Sequence, residues 1–102
     1  MARGIESGTP FTATSTASGN ATATVNAIAR QNLYVTDVSG SSDLAGATLQ
    51  IKDGSTVVWQ DRISNTSAMT YRFEMPLSIA GALTVVVTGT SYGAANVSGY
   101  SL

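Results

Sequence analysis

Apolar and polar residues alternate along most of this chain with the period of a β-strand. In residues 48–52, Leu49 and Ile51 fall on one side, and Thr48, Gln50 and Lys52 on the other. Residues 69–75 place Met69, Tyr71, Phe73 and Met75 against Thr70, Arg72 and Glu74. Successive strand side chains point to opposite faces, so each pattern predicts a strand with one face buried. Residues 24–29 alternate in the same way, and residues 32–38 are rich in aromatic and β-branched side chains that suit a pleated surface. Residues 83–88 are nearly all β-branched and predict a central strand, and residues 95–102 predict a last one. There Val97 and Tyr100 differ in parity, which points to a bulge at Gly99.

The punctuation agrees with this division. Gly40-Ser41-Ser42-Asp43, Ser64-Asn65-Thr66-Ser67 and Gly89-Thr90-Ser91-Tyr92-Gly93 predict loops or turns. Asp53-Gly54, between the runs 48–52 and 56–60, predicts a hairpin closed by a type I′ turn. Pro76 has no N–H to give and marks a strand end or a sheet edge. The sum is seven or eight short strands with turns every 8 to 12 residues, and no long helical period. That spacing predicts an all-β, antiparallel β-sandwich or barrel. The predicted core is Val25, Leu33, Val35, Leu49, Ile51, Val57, Trp59, Ile63, Tyr71, Phe73, Leu83, Val85, Val87 and Val97. Asp61 falls in the core register between Trp59 and Ile63, which requires a bulge there or an interface that partners its charge.

Residues 1–20 lack this contrast. They are Gly, Ser, Thr and Ala with few large apolar side chains, and are expected as an extended N-terminal arm that cannot fold alone. The domain reading is therefore an arm over 1–20 and a β-sandwich over 21–102. A chain of 102 residues fits one domain and buries a small core, so oligomerisation is a natural source of further stability.

Composition narrows the function. Charged residues make up 11%, less than half of the roughly 25% usual in soluble domains. A neutral exterior of Ser, Thr, Asn and Gly points to extensive contact with other proteins. The five cations, Arg3, Arg30, Lys52, Arg62 and Arg72, are scattered, so no stripe exists to neutralise a run of phosphates and nucleic acid is not an expected partner. No apolar run approaches the ~20 residues of a membrane helix, so no membrane partner is expected. The start, Met1 to Gly8, lacks a signal-peptide core, and Cys is absent, which together fit a protein made in a reducing cytoplasm.

Candidate chemistry is thin. Gly89-Thr90-Ser91-Tyr92-Gly93 matches the G-x-S-x-G nucleophile elbow, but the chain has no His to act as base and no predicted helix after Gly93. The acids Glu6, Asp37, Asp43, Asp53, Asp61 and Glu74 offer no singled-out pair for glycoside hydrolysis. Zinc lacks its usual Cys or His, and Asp37 and Asp43 lie outside any D-x-D-x-D-G calcium loop. N-x-S/T triplets at Asn20, Asn65 and Asn96 carry little without a secretion signal. No catalytic, cofactor-binding or metal-ligating residue is assigned, no cofactor is expected, and the chain is not expected to be an enzyme. Trp59 and Tyr34 are the aromatics that could be exposed for binding.

Three stretches carry a resemblance: Leu33-Tyr34-Val35-Thr36-Asp37-Val38-Ser39, Leu49 to Trp59, and Val97-Ser98-Gly99-Tyr100-Ser101-Leu102. With their YVT-x-V-S, L-x-I-K-D-G-x-x-V-x-W and V-x-G-Y-S-L patterns, residues 21–102 resemble small head-decoration, or capsid-cement, proteins of tailed bacteriophages. The resemblance implies a jelly-roll-like sandwich that forms a homotrimer on the capsid surface and cements neighbouring subunits of the major capsid protein. It transfers no catalytic residue. The alternative is a host-surface or carbohydrate-binding module of a phage fibre or tail.

Overall fold

The structure, a computed structural model, describes residues 8–44, 46–63 and 68–102. They form eight strands: β1 (Thr9–Ser18), β2 (Ala21–Val25), β3 (Leu33–Ser42), β4 (Ala47–Asp53), β5 (Thr56–Ile63), β6 (Ala68–Ile79), β7 (Leu83–Thr88) and β8 (Tyr92–Ser101). No helix occurs among the described residues, and none is long and apolar enough to cross a membrane.

The strands make two four-stranded sheets, ordered β1-β8-β3-β6 and β2-β7-β4-β5. Every ladder between strands is antiparallel. The pairings nest: β1 with β8, β2 with β7, β3 with β6, and β4 with β5. A long hairpin wrapped round on itself, then closed by β3–β8 and β4–β7, is the jelly-roll connection. The fold is thus the antiparallel, eight-stranded, jelly-roll-type sandwich that the strand pattern and the resemblance predicted.

The core lies between the sheets. Leu33, Val35 and Val38 on β3, Leu49 and Ile51 on β4, Leu83, Val85 and Val87 on β7, and Val97 on β8 are essentially inaccessible. Each such side chain removed from water contributes about 1.5–3 kcal/mol. Ala21, Ala23, Ala47 and Ala95 fill the narrow positions between them. Ile63 and Ile79 close the ends of β5 and β6. Gly40 sits where a Cβ would come within 2.9 Å of Val87 and 3.0 Å of Leu49, so close approach of the two sheets demands glycine there.

Several expectations are corrected. Within the expected arm, residues 9–18 are β1, in register with β8 from Thr9↔Ser101 to Ser18↔Tyr92, and Phe11 and Ala13 pack on the core. The sandwich therefore begins at Thr9. Residues 1–7 of that arm and the expected turn over 64–67 lie outside the described residues. The strand expected over 24–29 is β2, which ends at Val25, because Asn26 to Asn32 leave the sheet and Arg30 turns through a φ of 66°. The loop expected at 40–43 begins only at Asp43, because β3 runs on through Ser42. The last strand begins at Tyr92 rather than at 95.

The bulge expected at Gly99 belongs to the facing strand. Val35 pairs with Gly99 and Asp37 with Ser98, so Thr36 of β3 is the extra residue, while β8 stays regular against β1. The hairpin is present, but Asp53 pairs with Thr56, so Gly54 and Ser55 are its central residues. Only Gly54, at 64°, has positive φ, which is the pattern of a II′ turn instead of I′. Of the predicted core, Val25, Trp59 and Phe73 are half-buried at its margin, whereas Val57 and Tyr71 are exposed.

Candidate functional site: an apolar rim between two edge strands

The topology leaves β5 at the edge of one sheet and β6 at the edge of the other, on the same side of the sandwich. Trp59 of β5 bridges the gap to β6. Its ring centroid lies 5.2 Å from that of Tyr71 and 5.6 Å from that of Phe73, and those two rings meet edge to face at 4.8 Å. Such offset and edge-to-face pairs add about 0.5–1.5 kcal/mol each beyond their buried area. The cluster seals the core on this side without being covered itself. Around it Val57, Val58 and Tyr71 are about two-fifths exposed, and Met75 is 83% exposed.

Backbone irregularity puts these side chains outside. Ile51 pairs with Trp59 but Lys52 with Val57, so Val58 is an extra residue on β5. Val35 pairs with Leu77 and Asp37 with Arg72, so residues 73–76 of β6 have only Thr36 opposite them. Pro76 lies within that bulge. Bulges and proline disfavour addition of a further strand to an edge. The rim therefore offers side chains, rather than free backbone groups in register, to a partner.

Charged residues share these two strands. Arg62 lies on β5 and Glu74 on β6, both exposed. Arg72 pairs with Asp37 of the neighbouring strand at 3.4 Å. Asp61, the acid found in core register, is exposed where the opposite sheet does not reach, and its Oδ1 accepts the Arg62 N–H at 2.8 Å.

The G-x-S-x-G segment is a turn clamped by an acid. Gly89 has a φ of 78°, and the next residues lead into β8. Asp43 Oδ1 accepts the backbone N–H of Tyr92 at 2.9 Å and of Ser91 at 3.1 Å, and the Thr90 hydroxyl donates to it at 2.9 Å. The Ser91 hydroxyl donates to Asp43 Oδ2. These donors, the Ser91 hydroxyl first and the Tyr92 N–H next, hold the Asp43 carboxyl down to about 2. A carboxylate that acidic is a poor base, and the Ser91 proton is already engaged with it.

The remaining acids are divided among separate structural tasks. Asp53 accepts the backbone N–H of Gly81 at 2.9 Å and of Ala80 at 3.2 Å, tying the β4–β5 hairpin to the β6–β7 turn. Asp37 and Asp43 face different partners, Arg72 and the 89–93 turn. Among the described residues no three His, Cys, Asp or Glu side chains gather as a metal group would require. Tyr34 stacks on Tyr100 at 5.2 Å and is half-buried. Of the two aromatics singled out from sequence, Trp59 thus belongs to the rim and Tyr34 does not. Val57, Val58 and Met75 were missed as surface residues. The available signal was the unbroken run Val57-Val58-Trp59, which a regular half-buried strand does not contain.

No protein-family model matches the chain. No curated protein matches it either. Among solved structures it is similar to a virus-like particle of the giant freshwater prawn Macrobrachium rosenbergii extra small virus. That similarity has a TM-score of 0.40 and 13% identity, covering 99% of this chain and 83% of the other.

Proposed function

We propose that this chain is a structural virion protein that sits on a phage capsid surface as a homotrimer and bridges neighbouring subunits of the major capsid protein. The observation that carries the reading is apolar surface on the two edge strands: Val57 and Val58 of β5 and Tyr71 and Met75 of β6 are exposed, beside the half-buried Trp59 and Phe73, on a weakly charged jelly roll. Exposed apolar surface of this kind marks protein contact. The resemblance of residues 21–102 to capsid-cement proteins supplies the capsid as partner. Binding the assembled shell and not its dissociated subunits stabilises the shell by mass action. The test is to add the purified protein to capsids that lack it. A trimer by light scattering and a raised capsid melting temperature are expected. A monomer with no affinity for capsids overturns the reading.

A second reading has its own observation. The Trp59, Tyr71 and Phe73 rings are the kind of aromatic platform on which sugars stack, as a carbohydrate-binding module of a fibre or tail would need. A glycan array separates the two: a reproducible hit lost in Trp59→Ala favours the module.

A further inference from the structure

We propose that the outer edge of β1 is a docking strand: an extended, uncharged segment of the capsid partner adds to it and continues the sheet β1-β8-β3-β6. This deepens the capsid reading and rests on it for the identity of the partner.

β1 lies at the end of its sheet and pairs with β8 alone. Pro10 reveals which backbone groups that pairing leaves over. It faces Tyr100, and without an N–H it cannot exchange the two bonds of a hydrogen-bonded pair. Bonded and non-bonded pairs alternate along an antiparallel ladder, so the bonded ones are Phe11↔Gly99, Ala13↔Val97, Ser15↔Ala95 and Ala17↔Gly93. Thr36 agrees: its hydroxyl donates to the Ser98 carbonyl at 3.2 Å, so that carbonyl faces β3 and not Thr12. The N–H and C=O groups of Thr12, Thr14 and Thr16 therefore point away from β8. Among the described residues no other backbone bond reaches them.

Native sheets normally blunt such an edge. β5 and β6 are blunted by bulges, by Pro76 and by Asp61, Arg62, Arg72 and Glu74. Beyond Pro10, β1 has none of these devices. Its register against β8 runs unbroken from Thr9 to Ser18, and no charged residue occurs between Glu6 and Arg30. From Thr12 to Ser18 the edge spans about 23 Å, at ~3.3 Å per residue.

The groups on this edge identify its occupant. Donors and acceptors repeat at every second residue along a line, and an extended backbone presents the same row in return. A helix bonds its own groups internally and has none to offer along its length. Side chains set the character of the added strand. On one face it lies beside the exposed Thr12, Thr14 and Thr16, which favour Thr, Ser or other β-branched neighbours. On the other it lies beside Ala13, Ser15 and Ala17, small and half-buried at the core margin, where a charge is disfavoured.

The test combines hydrogen exchange with co-sedimentation on capsids that lack the chain. In the free chain the Thr14 and Thr16 amides are expected to exchange quickly and those of Ala13 and Ser15 slowly. On capsids the Thr14 and Thr16 amides are expected to slow by about tenfold or more. Thr14→Pro removes an outward N–H without touching the β8 ladder, and is expected to stay folded and to bind capsids about tenfold more weakly. Thr16→Pro serves if Thr14→Pro misfolds. A Thr14 amide as slow as that of Ala13 in the dilute free chain overturns the open edge. Capsid binding that leaves these amides fast, or that Thr14→Pro and Thr16→Pro do not weaken, overturns the inference and leaves the cement reading standing on another surface. Slowing that appears when the chain alone is concentrated shows a second copy on the edge and overturns the capsid strand as its occupant. A parent chain with no affinity for capsids overturns the cement reading and the inference with it.

Discussion

At the scale of single residues, two positions show how far local chemistry dictates this fold. Gly99 lies under the β3 bulge, where a Cβ would fall 1.9 Å from the Tyr34 carbonyl oxygen and 2.8 Å from Phe11. The nearer atom is backbone and cannot swing away. Gly99→Ala is therefore expected to cost at least the roughly 1–3 kcal/mol of ordinary overpacking, read as a lower urea midpoint. Asp43 is the second case. Its folded carboxyl is depressed from 3.8 to about 2, so it binds protons less readily folded than unfolded. Its contribution to stability is complete above the ordinary carboxylate range and is lost as pH falls through 3.8 toward about 2. Asn keeps an acceptor but not the charge. The melting-temperature gap between the parent chain and Asp43→Asn is expected to be widest above pH 4 and to close on approach to pH 2. A gap that stays constant over that window would show that Asp43 acts through shape alone.

At the scale of elements, a strand's burial depends on its place in the sheet as well as on its own pattern. β4 and β7 are interior strands, and there strict alternation and β-branched density read directly as Leu49, Ile51, Leu83, Val85 and Val87 in the core. β5 and β6 sit at edges: there the opposite sheet fails to cover Tyr71, and the bulge at Val58 turns Val57 into the register of Lys52, away from the core. Parity predicts which side of a strand a residue faces. Only the pairing order decides whether something lies on that side. For the same reason the rim was illegible as a site: its two halves lie on strands whose shared edge position emerges only from the nested connections. β1 was missed for a different cause, because its inward residues after Phe11 are Ala13, Ser15 and Ala17, whose contrast with Thr12, Thr14 and Thr16 is slight. The difference between interior and edge is measurable. Leu49→Ala is expected to cost about 2–5 kcal/mol, whereas Val57→Ala is expected to change the stability of the dissociated chain by no more than about 0.5 kcal/mol. Denaturant titrations well below the association range compare them. Equal losses would mean that the rim is as well packed as the core.

At the scale of the whole molecule, the nested pairing joins the two ends of the chain, with Thr9 beside Ser101 and Pro10 beside Tyr100. This closure stakes the first sheet on a segment that looks dispensable in sequence. If residues 1–18 were only an arm, their removal would leave the melting temperature unchanged. With β1 in place as an edge strand, removal unpairs the whole of β8 on one side, from Tyr92 to Ser101, and strips Phe11 and Ala13 from the core margin. Phe11 is partly buried, so its loss alone is worth about 2 kcal/mol, below the 3–5 kcal/mol of a fully buried Phe. At about 4–8 °C per kcal/mol for a domain of this size, that is a fall of about 10 °C before any lost ladder bonds are counted. The shortened chain also exposes β8 as a new edge that has no charged residue between Tyr92 and Ser101 to discourage pairing with other chains. The expected outcome is a large drop in melting temperature with concentration-dependent aggregation, seen by calorimetry and light scattering. A shortened chain that stays soluble and melts with the parent would show that β1 adds nothing to the sandwich, and would return the first eighteen residues to the status of an arm.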